Sequence, residues 1–411
     1  MKKLNVFLLN ELAGKLWINK SENFEFQYDK NYLKKDNALP VSLSMPLTDS
    51  PLSGIAVESF FSNLLPEGEL KAAIAREKKI SENNDFMMLK AIGGECAGAV
   101  SILEQGLNPE TENRYDLLSE NDLEKILDDS KLKPVLITRD ELRLSLAGAQ
   151  NKIPLFYDGN NFYLPGQNSP SSHILKLESP SFHGLIENEI FCMQLAKKVG
   201  IDVPDVFIKK VGKHKAFIIE RYDRIFSDKG CIKRIHQEDF CQIAGIYPNL
   251  KYENESGPGL KECADIIWKN CSVPVSDIKK YIQWIIFNYI IGNCDAHAKN
   301  ISVLYSGGIK LAPFYDLIST AAFPELSKKL AMYIGGQKKI DYVMKHHWEK
   351  LAESTGIKHS YLKSVIKDIS AVTKVESGKL VEKYSHEYNL KKTSQKINKI
   401  IIKQIKRLNT I

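Results

Sequence analysis

The sequence predicts an α+β protein in two lobes, a mixed-sheet lobe followed by a helical one, with a small β-rich subdomain in front. Three observations predict it. Short strand-like runs with one intervening helix occupy 154–220. Beyond Gln237 apolar residues recur mainly at helical spacing. The first thirty residues alternate apolar and polar in three bursts.

The bursts are Asn5 to Leu9, Lys15 to Ile18 and Phe24 to Tyr28, an antiparallel meander. From Glu58 to Glu77, Phe60, Phe61, Leu64, Leu65, Leu70 and Ile74 predict two helices joined at Pro66-Glu67-Gly68. The polar stretch from Asn108 to Asp129 has no strong core pattern and reads as a connection. Strands follow at Pro154–Tyr157, Asn161–Leu164 and His173–Leu177, then a helix at Leu185–Val199 and strands at Val206–Lys210 and Ala216–Glu220. Within the helical half, Ile301–Tyr305 and Ile309–Tyr315 form a hairpin around Ser306-Gly307-Gly308. The expected organisation is a subdomain at 1–105, a connection at 106–135, a sheet lobe at 136–225 and a helical lobe at 226–411.

At 411 residues the chain is too long for one ordinary core, and 43% hydrophobic with 26% charged residues is globular composition. The net charge of +7 is modest, so any basic partner surface must be local. Seven scattered cysteines without a C-x-x-C pair suggest reduced thiols and a cytoplasmic protein. Asn10 and Glu11 end the apolar run after Lys2-Lys3 too early for a signal peptide. Tyr281–Gly292, broken by Gln283 and Asn288, falls short of the roughly 20 residues of a membrane span and reads as a buried helix. No membrane partner is expected.

The sharpest chemical signal is Asn293-Cys294-Asp295-Ala296-His297-Ala298-Lys299-Asn300, between that helix and the hairpin. An aspartate with an asparagine five residues on has the spacing of a kinase catalytic loop. The carboxylate accepts a substrate hydroxyl's hydrogen bond, and the amide oxygen reaches magnesium. Pro313-Phe314-Tyr315-Asp316 then puts a second carboxylate at the expected strand end, where it can hold magnesium between ATP phosphates. Turn capping by Asp295 and Asn300 is the plain alternative.

Upstream, Ser145-Leu146-Ala147-Gly148-Ala149-Gln150-Asn151-Lys152 is a small-residue turn whose amides could approach phosphate, or a plain loop. Lys176 lies in an apolar strand, where it needs an anion unless that strand is an exposed edge; Glu187 and Glu189 are candidate partners. Glu220-Arg221-Tyr222-Asp223-Arg224 marks the boundary between lobes, either an adenine-binding hinge or a structural Arg-Asp network.

These blocks, with Ala38 to Met45, Asn63 to Pro66, Gln237-Glu238-Asp239 and Gly257-Pro258-Gly259, resemble the HipA-type serine/threonine kinases, the toxins of bacterial toxin-antitoxin pairs, over nearly the whole chain. The resemblance implies a two-lobed protein-kinase-like fold, with ATP and Mg2+ as cofactors. It makes Asp295 the catalytic base, Asn300 and Asp316 the magnesium ligands and Lys176 the phosphate-contacting lysine. Ala147, Gly148, Ala149, Gln150, Asn151 and Lys152 would form the phosphate loop. Glu220, Arg221 and Tyr222 would form the hinge, with His297, Ala298, Lys299 and Tyr315 as further ATP contacts. Ser145 would be an autophosphorylation site that displaces the loop, since a phosphate of about −1.5 to −2 charges cannot share it with ATP.

Family members phosphorylate aminoacyl-tRNA synthetases, so a translation protein is the substrate implied. A small DNA-binding antitoxin is the implied partner, with DNA reached through it. Cys294 departs from the glycine or threonine more usual before the catalytic aspartate. A lipid or small-molecule kinase is a rival, since phosphoinositide kinases use an Asp-x-His-x-x-Asn loop. A catalytically silent repressor module is another, opposed by the joint presence of Asp295, Asn300, Lys176 and Asp316.

At 386–411, Ile397, Ile400, Ile401 and Ile405 give an amphipathic helix with a basic face, either solvated or in contact with phosphate. His346-His347 reads as a solvent-facing pair, not a metal site, and Cys192 and Cys294 as packing residues.

Overall fold

The computed structural model describes residues 3–109, 113–129, 152–166, 169–178, 182–226, 232–386 and 388–410. Ser145, Ala147, Gly148, Ala149, Gln150 and Asn151 of the expected phosphate loop lie outside the described residues. The chain forms two compact units: Met1–Leu177 with Phe207–Asn249 and Leu304–Gly307, and Glu178–Val206 with Leu250–Val303 and Gly308–Ile411.

In the first unit, β1 (Lys3–Leu8), β2 (Glu11–Ile18), β3 (Phe24–Tyr28), β4 (Leu52–Ser53) and β5 (Val100–Glu104) make an antiparallel sheet in the order β4-β3-β2-β1-β5. The expected meander is its centre. Leu9 and Asn10 close the first hairpin with φ of 54° and 65°, the two left-handed residues that a tight two-residue turn requires. Phe24, Phe26 and Tyr28 alternate inward along β3, and Phe24 and Phe26 pack on Phe61. The helices are α1 (Lys30–Leu33), α2 (Ile55–Asn63), α3 (Gly68–Glu77) and α4 (Asp85–Ile92); α2 and α3 flank the expected break at Pro66-Glu67. Asp29 and Asn84 cap α1 and α4 through their side-chain oxygens.

The second sheet of this unit runs β10-β11-β9-β7-β8-β6. Its strands are β6 (Tyr115–Leu118), β7 (Lys152–Tyr157), β8 (Phe162–Pro165), β9 (His173–Lys176), β10 (Val206–Val211) and β11 (His214–Glu220). The stretch read as a connection holds edge strand β6 and helix α5 (Glu120–Asp129), whose Leu118, Leu123 and Leu127 are buried. Those three residues join one hydrophobic core with Leu4, Phe26, Phe61, Leu175 and Ile218, so the front subdomain and the second sheet share a core. The pair β12 (Arg224–Phe226) and β13 (Ile232–Arg234), strand β14 (Gln237–Asp239) and helix α7 (Phe240–Ala244) complete the unit. An Asp239/Gln242 capping box starts α7.

The second unit contains α6 (Leu185–Val199), α8 (Leu260–Asn270), α9 (Pro274–Ile291), α10 (Lys345–Thr355), α11 (His359–Lys383) and α12 (Tyr388–Leu408). Strands β15 (Ser302–Tyr305) and β16 (Ile309–Leu311) form the expected hairpin, with the residues of its tip counted in the first unit. Strands β17 (Lys329–Ile334) and β18 (Gln337–Lys339) make a further pair that helical periodicity did not disclose. Helix α9 starts on Pro274 and is buried on nearly every side, with Tyr281 stacked on Trp284, Trp284 on Phe314, and Tyr289 edge-on to Trp348. Helix α12 buries Ile397, Ile401 and Ile405 and half-buries Ile400, leaving Lys391, Lys392, Lys396, Lys399 and Lys406 in solvent. His346 and His347 lie on α10 with ring centroids 3.8 Å apart, and His347 Nδ1 accepts the Met344 amide at the helix start. No helix among the described residues is long and apolar enough to cross a membrane.

Candidate active site

Helix α9 stops at Gly292, where φ is 73° and an added Cβ would lie 2.9 Å from Ala321 Cβ and Ile400 Cγ2. Both conformation and space therefore require glycine. Asn293 then turns the chain: its side-chain nitrogen donates to Asn288 Oδ1 at 2.8 Å, and its oxygen accepts the Asp295 amide at 3.0 Å. Cys294 donates its amide to Thr320 Oγ1 at 2.7 Å and accepts the Ala331 amide of β17 at 2.8 Å. A loop bonded at each of these residues holds Asp295 in place while its carboxylate stands exposed.

Next come His297 to Asn300, all buried. Asn300 Oδ1 accepts the His297 amide at 3.1 Å, and the Asn300 amide donates to the His297 carbonyl at 2.9 Å. Its side-chain nitrogen lies 3.4 Å from Asp316 Oδ2. Strand β16 ends at Leu311, so Asp316 sits in the loop beyond it and not at a strand end, with a left-handed φ of 60°. A non-glycine residue held there is a strained placement of the kind that gathers at functional sites. Tyr315 donates its hydroxyl to the Lys299 carbonyl at 2.7 Å, fastening this loop to the catalytic one. A carboxylate and an amide oxygen are hard oxygen donors that suit magnesium, which fills its other positions with phosphates and water. Among the described residues no group of three or more His, Cys, Asp or Glu could form a metal cage.

In the first unit, Lys152 of β7 and Lys176 of β9 are direct cross-strand partners, so their side chains leave the same face of the sheet. Lys176 is 7% exposed and β9 lies between β11 and β7, which excludes the edge-strand alternative. Glu187 and Glu189 are buried on α6 in the second unit.

The Arg-Asp reading of 220–224 describes the side chains. Arg221 clasps Asp223 through Nε at 3.0 Å and Nη2 at 2.8 Å, and it also meets Glu95 Oε1 at 3.1 Å. Arg224 reaches the same Glu95 oxygen at 2.8 Å. The Arg221 amide donates to the Ser172 carbonyl at 2.9 Å, and Glu220 pairs with His173 across β11 and β9. The Arg221 side chain is thereby engaged in a structural network, whereas the expected hinge role of 220–222 is one of backbone groups. Burial alone would raise the carboxyls of Glu95 and Asp223, but Arg221 and Arg224 hold both below their usual range.

Sequence reasoning missed Glu95, Glu238 and Tyr252. Glu238 is fully buried, accepts from Ser42 Oγ at 2.5 Å, Leu43 N at 3.0 Å and the Tyr305 hydroxyl, and burial pushes it up to about 7. Tyr252 donates its hydroxyl to Asp295 Oδ1 at 2.9 Å. Glu238 lies in the Gln237-Glu238-Asp239 block and its partner Ser42 in Ala38 to Met45, so both were singled out without a role; no local pattern marks the other two. The described cysteines are free and buried, and burial pushes the Cys294 thiol up to about 11, consistent with a packing role.

An α+β kinase-like fold with an exposed aspartate, an amide and a second carboxylate in these positions is that of a kinase. The HipA N-terminal domain matches residues 4–103 and the HipA-like C-terminal domain residues 144–376. The chain belongs to the HipA kinase family. It is 37% identical over 363 residues to a Sinorhizobium fredii protein named as a kinase, Y4mE, covering 87% of this chain and 86% of the relative. It is 33% identical over 329 residues to the Shewanella oneidensis serine/threonine-protein kinase toxin HipA, covering 76% and 74%. A solved structure of the Shewanella oneidensis HipA, HipB and operator DNA complex contains a chain that superposes with a TM-score of 0.85 at 26% identity, over 99% of this chain and 98% of that one.

Proposed function

We propose that the chain is the toxin of a toxin-antitoxin pair, an ATP- and magnesium-dependent serine/threonine protein kinase. The observation that carries this is the 3.4 Å approach of Asn300 to Asp316 five residues beyond an exposed Asp295. Asp295 orients the acceptor hydroxyl and takes its proton as the oxygen attacks the γ-phosphorus and the bond to ADP breaks. Asn300 and Asp316 hold magnesium, which neutralises charge on the phosphates. Lys152 and Lys176 bind phosphate oxygens, backbone of 147–152 and of 220–222 contacts the nucleotide, and His297, Ala298, Lys299 and Tyr315 shape its surroundings.

Ser145 is the site of self-modification. The acceptor is a protein of translation such as an aminoacyl-tRNA synthetase, and the partner is a small DNA-binding antitoxin of the kind that the Shewanella complex contains. The test is incubation with labelled ATP, with magnesium or with EDTA, followed by mass mapping. Magnesium-dependent label on Ser145 supports the reading in full; label elsewhere removes the brake; no label removes the kinase activity.

A further inference from the structure

The Gly257-Pro258-Gly259 block has no part in phosphoryl transfer as described, and the structure places it beneath Tyr252. An added Cβ at Gly257 would lie 2.5 Å from the Leu250 carbonyl oxygen and from Lys251 C; at Gly259 it would lie 3.0 Å from Glu253 Cδ. At Gly257, where the obstacle is backbone, only glycine lets the chain close over 250–257 so tightly. The Tyr252 carbonyl accepts amides from Glu255 at 2.8 Å and Gly257 at 2.9 Å, which fixes the tyrosine backbone.

The loop is also anchored where the catalytic loop is anchored. In β17, the Tyr333 amide donates to Glu253 Oε2 at 2.5 Å, and two residues earlier the Ala331 amide donates to the Cys294 carbonyl at 2.8 Å. One strand therefore sets the register of Tyr252 against Asp295. The phenol meets Asp295 Oδ1 at 2.9 Å, and its ring stands edge-on to His297 with centroids 5.6 Å apart.

We infer that Tyr252 is a positioning residue for the catalytic aspartate, holding Oδ1 so that Oδ2 accepts from the hydroxyl of the protein acceptor. This rests on the kinase reading above. A carboxylate has two oxygens and several lone pairs, so a donor fixed on Oδ1 is compatible with an acceptor hydroxyl on Oδ2. Removing that donor widens the range of rotamers open to the aspartate and lowers the share that is aligned. A displaceable plug would sit on a loosely held segment; this tyrosine sits on a doubly anchored one.

The experiment is single-turnover transfer from labelled magnesium-ATP to the chain itself, as a function of ATP concentration, for the full-length chain, Tyr252→Phe and Tyr252→Ala, with melting temperatures recorded. Tyr252→Phe keeps the ring against His297 and removes only the hydroxyl. It is expected to lower the limiting rate by about ten- to a hundredfold, the order of one hydrogen bond to a charged group, with the half-saturating ATP concentration and melting temperature nearly unchanged. A limiting rate within twofold of the unmodified chain overturns the inference, whatever Tyr252→Ala does. A faster Tyr252→Phe overturns it as well and makes the tyrosine an obstacle. If the unmodified chain transfers no phosphate, the kinase reading fails and the inference falls with it, an outcome distinct from equal rates in active proteins.

Discussion

At Glu95 the first unit buries two arginines, Arg221 and Arg224, against two carboxylates, each at most 6% exposed, with the Arg234 charge beside them. At Asp295 the second unit exposes a carboxylate at the end of a loop bonded at nearly every backbone turn, and brings a second carboxylate and an amide close to each other in the next loop. Both regions are polar clusters made rigid by hydrogen bonds. The difference lies in what the charges face. Charge paired and sealed from water stabilises one arrangement of the chain, whereas a carboxylate open to solvent at the end of a bonded loop is placed to meet a ligand. That contrast separates the side chains of Arg221 and Asp295.

The largest expected effect lies in the sealed cluster. Glu95→Ala leaves two buried arginines short of a carboxylate and should destabilise the chain by about 3–5 kcal/mol in urea unfolding. A loss below about 1 kcal/mol would show that the cluster is not the brace described.

Glu238 sharpens the comparison through pH. Its carboxyl is raised from an ordinary 4.5 to about 7 by burial, so its contribution is complete below about pH 4.5 and is lost as pH rises through 7. Glu238→Gln has no proton to lose, so stability measured from pH 5 to 8 should fall less steeply in the variant, by about 2 kcal/mol across that window. Glu95 and Asp223 are held low, so their contribution is present above their ordinary values and lost as pH falls. Glu238→Gln should leave that acid limb unchanged.

The opposed lysines are tested through the nucleotide. Lys152→Met should weaken ATP binding by about tenfold, measured by calorimetry. Loss of stability without loss of affinity would make the pair structural.

Asp316→Asn should have the smallest effect on folding, within about 0.5 kcal/mol, because asparagine tolerates the left-handed backbone. Its magnesium requirement in phosphoryl transfer should rise steeply, read from a magnesium titration of the rate.

Much of this was legible in the sequence because it is local. Helix α6 was expected at its observed bounds, and the spacing singled out Asp295, Asn300 and Asp316, of which the structure brings Asn300 within 3.4 Å of Asp316. The meander and the two helices after Ile55 declared themselves by alternation and by a Pro-Glu-Gly break. What was not legible depends on contacts distant in sequence. Glu95 is 126 positions from Arg221 and Tyr252 is 43 from Asp295, and neither interval carries a period. Strand β6 and helix α5 hid in a polar stretch because few of their residues face the core. The strands β14, β17 and β18 are short or bounded by charged residues, so propensity had little to weigh. At 220–224 the Arg-Asp network could be read from the residues, but its anchor Glu95 could not.

The most direct test of the site is the rate of phosphoryl transfer from labelled magnesium-ATP by Asp295→Asn beside the unmodified chain, with unfolding measured on both. The predicted result is a loss of about 10²–10⁴-fold in rate, the usual contribution of a positioned general base, with stability unchanged within about 0.5 kcal/mol. Transfer within a few-fold of the unmodified rate, in a folded variant, would contradict the assignment of Asp295 as the base.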